Sequence, residues 1–167
     1  STADMLPLVC SAGKAFDPGT KHAYSNSNFI LAGLIIERVS KRTFYDFVEE
    51  RIVKPLGMMS TGYFESSDRS RPIAEALGRD GSDWKQSDRG RRGTAAGGCY
   101  STARDMLRFM HGVTGGKIVS KTALQEMTSS KVGSGVEADS DYGFGFLLQK
   151  HGQVLSYRHG GIARGMN

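Results

Sequence analysis

Apolar residues crowd the stretch from Asn28 to Val39, where Phe29, Ile30, Leu31, Leu34, Ile35, Ile36 and Val39 point nearly all round a helix. That pattern predicts a helix buried on most sides, the central core helix. A narrower stripe follows, with Phe44, Phe47, Val48 and Ile52 at helical spacing behind Thr43, which can cap the helix with Asp46 three positions on. Pro55 should end it. Met106, Phe109, Met110 and Val113 recur at i, i+3, i+4 and i+7. They predict a third helix capped by Ser101 or Thr102, ended by Gly115-Gly116, with its methionines filling the core. A short helix from Lys121 to Met127 should start at Ser120.

Between these helices the pattern fades. Residues 1–22 read as an irregular lead-in ending at the turn signal Pro18-Gly19-Thr20, and residues 60–98 as a long surface excursion broken only by Ile73–Leu77. After a polar link at 132–141 the period changes to that of strands, in Tyr142–Leu148 and again in Val154–Arg158. The intervening His151-Gly152-Gln153 predicts a hairpin turn. Two strands alone are marginal in water, so further strands or a covering helix are expected beside them.

Composition narrows the class without naming a function. With 167 residues, 38% hydrophobic and 23% charged, the chain can bury one core and reads as one folded unit. The net charge of +5 permits an anionic partner. Its densest basic run, Asp88–Gly93, has no interleaved aromatics for base stacking, so it reads as a solvated loop and no nucleic acid is predicted. Cys10 and Cys99 are expected to be free and buried. His22, His111, His151 and His159 lack metal-ligand spacing, so neither a metal nor another cofactor is expected. No apolar run approaches the roughly 20 residues that span a bilayer.

Three short motifs carry the candidate chemistry. Tyr24-Ser25-Asn26 follows Pro18-Gly19-Thr20; Ala95-Ala96-Gly97-Gly98 leads into Ser101-Thr102-Ala103-Arg104-Asp105; and His159-Gly160-Gly161 closes the series. In that order, with Ile52-x-x-Pro55-Leu56-Gly57-Met58 and Tyr142-Gly-Phe-Gly between them, they resemble the β-lactamase/DD-peptidase superfamily of serine hydrolases. The branch they resemble holds class C β-lactamases, D-alanyl-D-alanine carboxypeptidases and related esterases. The resemblance runs from about Pro18 to Asn167. It implies an α/β (α+β) fold of the β-lactamase/transpeptidase type, with a helical part at 20–130 against an antiparallel sheet holding a hairpin and the third motif at 142–162.

Members of this family use Ser-x-x-Lys, Tyr-x-Asn and Lys-Thr-Gly or His-x-Gly. By resemblance, Tyr24 and Asn26 form the second element and His159, Gly160 and Gly161 the third. Tyr24 is then the candidate general base and acid, since a phenol near cations can relay the serine proton. Asn26 offers donors and an acceptor to the substrate amide and the catalytic lysine. His159 would sit over the substrate carboxylate or leaving group, and the Ile162 N–H would supply one oxyanion-hole donor. Gly160 and Gly161 would allow a ligand close to the backbone. Arg164 could meet a substrate carboxylate or be solvated.

The first element is harder to place, because only 23 residues precede Tyr24 and the family's serine lies well upstream at the start of a buried helix. The strings Ser11-Ala12-Gly13-Lys14 and Ser82-Asp83-Trp84-Lys85 lack the helical pattern that would aim a serine. The expectation is a fragment whose serine and lysine come from a missing N-terminal portion of the same enzyme or from a second chain. The alternative is a non-catalytic ligand-binding or regulatory relative. The resemblance implies a periplasmic or secreted enzyme and a small-molecule or peptide substrate. It leaves β-lactam, D-alanyl peptide and ester open, with histidine in the third motif leaning toward carboxypeptidase or esterase chemistry.

Overall fold

The computed structural model describes residues 6–11, 13–64, 73–74, 77–80, 83–86, 92–133 and 140–162. Ser82, Arg164 and most of the basic run at 88–93 lie outside them. A short α1 (Leu6–Ser11) precedes the long α2 (Asn26–Ser40), which ends where Lys41 turns left-handed at φ 58° and donates its N–H to the Glu37 carbonyl. A non-glycine residue in that region is uncommon, and here it acts as the helix cap.

Helix α2 buries only part of its surface. Ile30 and Gly33 are buried, and Gly33 brings the helix so close to Ala95 that a Cβ there would stand 2.6 Å from the alanine methyl. Ile35 is 63% and Val39 79% exposed, so the expectation of a helix buried on most sides is corrected. The two lie one turn apart on a single apolar stripe, to which the described residues present no covering element.

Helix α3 (Phe44–Val48) starts as expected, with the Thr43 hydroxyl accepting from the Asp46 N–H. It does not stop at Pro55. It widens into a π turn (Glu49–Val53) and continues as α4 (Lys54–Leu56), closed by Gly57 at φ 65°. Proline lacks an N–H and crowds the carbonyl four residues back, and the wider turn accommodates both.

Helix α5 (Ala103–Thr114) is capped by Thr102, and α6 (Lys121–Met127) by Ser120. In α5 the buried positions are Asp105, Gly112 and Val113; Met106 is 47% exposed, so the core role expected of it is not found. Asp105 joins α5 to the chain after α4, a junction also held by paired hydrogen bonds between Gly62 and Tyr100. Both cysteines are free, yet exposed rather than buried; Cys99 follows Gly97 and Gly98 on an exposed turn.

Strands β1 (Leu77–Asp80) and β2 (Asp83–Gln86) pair inside the stretch expected to be an irregular excursion. The main sheet has four antiparallel strands in the order β3 (Val132–Gly133), β4 (Ser140–Tyr142), β5 (Leu147–His151) and β6 (Val154–Arg158). The β5–β6 hairpin turns at Gly152, φ 63°, as expected. Tyr142 differs from expectation: it ends β4, and Gly143–Phe146 turns the chain back into β5.

Gly143 sits against the end of α6, where Phe144 N–H donates to the Met127 carbonyl at 2.9 Å. A Cβ on Gly143 would stand 2.1 Å from that carbonyl oxygen. Gly143→Ala is therefore expected to cost about 1–3 kcal/mol, read by denaturant unfolding, because backbone atoms must move. Unchanged stability would show that α6 and the sheet are not in this contact.

Candidate active site

The lead-in to α2 carries His22 and Tyr24, and Asn26 is the first residue of the helix. Ser25 takes the N-cap position with extended backbone but makes no side-chain capping bond. Free N–H groups at a helix start favour negative charge nearby. The Tyr24 hydroxyl donates to Asn26 Oδ1 at 2.8 Å, so the two residues of the second motif touch each other. With Oδ1 engaged, the Asn26 amide N–H groups remain as its donors. Tyr24 is 67% exposed, with its ring at the mouth of a small cavity.

The sheet delivers the other side. His159 follows β6 directly, and its Nδ1 lies 2.7 Å from the Gly160 carbonyl oxygen. Only an Nδ1–H can satisfy that oxygen, so in the neutral ring Nε2 is left as an acceptor. Gly160 and Gly161 have open space where a Cβ would be, and Ile162 is 91% exposed. Packing within the chain therefore does not require glycine at either position.

Tyr142 connects the two sides. Its ring stacks on His22 with centroids 4.4 Å apart and stands edge-on to His159 at 6.4 Å. Burial first, and the neighbouring Tyr24 second, push the Tyr142 phenol above its ordinary value. A cavity of about 70 Å³ is walled by His22, Tyr24, Asn28, Phe29 and Tyr142; of the site residues expected from the sequence Tyr24 lines it, while Asn26 and His159 reach it only through their contacts with Tyr24 and Tyr142. Sequence reasoning assigned no site role to His22, Asn28, Phe29 or Tyr142. The available signals were the i, i+2 spacing of His22 and Tyr24 on an extended lead-in, and Tyr142 at the head of its Gly-rich motif.

A larger depression of about 870 Å³ opens elsewhere, bordered by Thr128, Ser129, Asp141, Leu148 and Leu155. Asp141 and Tyr142 are consecutive on β4 and face opposite sides of the sheet. The depression contains none of the motif residues, so chemistry rather than size places the candidate site at the smaller cavity.

Helices together with this antiparallel sheet give the β-lactamase/transpeptidase-like architecture, and the chain belongs to the Beta-lactamase family, whose model matches residues 2–167. It is 28% identical over 166 residues to a D-aminopeptidase of Cereibacter sphaeroides, an alignment covering 97% of this chain and 32% of that protein. Among solved structures, a penicillin-binding protein from Bacillus halodurans superposes with a TM-score of 0.83 at 30% identity, over 93% of this chain and 49% of the other. A D-stereospecific amidohydrolase from a Streptomyces species gives 0.82 at 30% identity, over 99% and 50%. The chain thus spans 32% of that curated relative and about half of these solved structures. Among the described residues no helix is long and apolar enough to cross a membrane.

Proposed function

We propose that this chain forms part of the active site of a serine hydrolase of the β-lactamase/penicillin-binding type, which cleaves its substrate through an acyl-enzyme. The observation that carries the reading is that Tyr24, bonded to Asn26, and Tyr142, edge-on to His159, line one cavity. In this mechanism Tyr24 takes the proton from the attacking serine and returns it to the leaving group. Asn26 holds the substrate amide through its free N–H groups, His159 offers Nε2 beside the leaving group, and the Ile162 N–H faces the developing oxyanion. The names of the relatives, a D-aminopeptidase and a D-stereospecific amidohydrolase, favour amides of D-configured acyl groups over esters.

The serine and lysine of the first motif are assigned to a segment outside residues 1–167. Ser11 ends α1 rather than starting it. The negative end of a helix opposes the alkoxide character that a nucleophile needs. Ser82 lies outside the described residues. A periplasmic or secreted location belongs to the same proposal.

Intact mass after exposure to a fluorophosphonate and, separately, a fluorescent penicillin tests this reading. Residues 1–167 alone should take no adduct, and the enzyme that also carries the Ser-x-x-Lys segment should take one, unchanged by Ser11→Ala. An adduct on residues 1–167 abolished by Ser11→Ala would move the nucleophile into this chain. Reversible binding with no adduct on either protein would replace the hydrolase with a binding relative.

A further inference from the structure

We infer that Tyr142 is a positioning residue that sets Tyr24 against His159 across the site, acting through its ring and through the His22 imidazole stacked on it. The inference rests on the hydrolase reading above and extends it to residues outside the three motifs. Tyr142 is fixed by main-chain bonds. It pairs with Val132 on one side and Leu147 on the other, and its carbonyl accepts from the Lys131 N–H at 3.1 Å. The next two residues are pinned to α6, Gly143 by close approach and Phe144 by its bond to the Met127 carbonyl. A ring on such a backbone makes a rigid reference point.

Tyr24 needs one. It is largely exposed, its hydroxyl bond goes to Asn26 two residues away, and the Ser25 cap position adds no side-chain bond. Local contacts of this kind move with the segment that carries them. The stack of His22 on Tyr142, at 4.4 Å and 29° between planes, ties that segment to the sheet two residues before Tyr24. Two residues of chain reach at most about 7 Å, so a shift of His22 carries Tyr24 with it. The same ring stands at 75° to His159, and one side chain thereby sets both halves of the site. Offset and edge-on ring pairs have preferred geometry that an aliphatic side chain of similar size does not reproduce. Misplacing a reacting group by about 1 Å can cost on the order of 100-fold in rate.

The experiment compares Tyr142→Phe and Tyr142→Leu in the enzyme that takes penicillin label, following acylation rate against penicillin concentration, with proton spectra of the histidine rings. Tyr142→Phe keeps the ring and should acylate within about 3-fold of wild type. Tyr142→Leu should lose about 10- to 100-fold, mainly in the limiting acylation rate rather than in apparent affinity. The upfield ring-current shift of the His22 protons should persist in the Phe variant and vanish in the Leu variant. Acylation by Tyr142→Leu at the wild-type rate would overturn the inference, as would a His22 spectrum indifferent to both changes. A wild-type enzyme that takes neither penicillin nor a fluorophosphonate would instead remove the hydrolase reading, an outcome separable from the first two because the His22 shift is read without turnover.

Discussion

Tyr24→Phe is expected to slow acyl-enzyme formation by about 100- to 1000-fold with little change in penicillin affinity, the range typical of removing a positioned proton-transfer group. The substitution keeps the ring at the cavity mouth and deletes only the hydroxyl, which in the structure reaches Asn26 Oδ1 at 2.8 Å. Loss confined to the limiting rate would mark an interaction made in the transition state, whereas loss in affinity alone would mark Tyr24 as a wall of the cavity. Stopped-flow acylation with a chromogenic or fluorescent β-lactam separates the two. Asn26→Ala in parallel should weaken both, because it removes the donors assigned to the substrate and the acceptor that orients the phenol.

The largest loss of stability is expected from Asp105→Ala. Asp105 is 1% exposed, and its carboxylate accepts from the Ser60 N–H at 2.8 Å, the Thr61 hydroxyl at 2.9 Å and Arg108 Nη1 at 2.8 Å. Its own N–H donates to the Thr102 hydroxyl that caps α5. Removing the acid strands those donors at the junction of α5 with the chain after α4, and a fall of about 10 °C in melting temperature is expected. Burial pushes this carboxyl up, but the bonds from Ser60, Thr61 and Arg108 together with the Arg108 charge outweigh it and hold it below the ordinary value. A depressed carboxyl contributes stability above the unfolded value and loses it as pH falls through the folded one. The wild-type melting temperature should therefore drop on acidification below about pH 4, and that part of the drop should be missing in Asp105→Ala. Parallel pH curves for the two proteins would show that Asp105 is not the group responsible.

Where the sequence was legible, the governing interaction is short in sequence. Thr43, Thr102 and Ser120 each bond a backbone N–H three residues on, and the Gly152 turn is closed by His151 and Val154 beside it. Helix periodicity and strand alternation are likewise local, so α2, the start of α3, α5, α6 and the β5–β6 hairpin could be read directly, whereas the π turn and α4 could not. The motif order also carried enough to place the chain in its family, which the match over residues 2–167 shows.

What the tertiary structure decided depends on partners far away in the chain. The strand period that begins at Tyr142 does not say what its ring will meet, and that partner, His22, lies 120 positions away. The two strands added beside the hairpin, β3 and β4, have only two and three residues and acquire meaning only when paired. Asp105 is a polar residue in the first turn of a helix, the sort usually left in water, and it is buried because Ser60 and Thr61 arrive from the other side of the fold. Apolar patterning, in turn, records which residues can be buried. Ile35 and Val39 carry that signal and stay exposed, because burial also requires a second surface, and hydrophobicity along one chain cannot specify where that surface comes from.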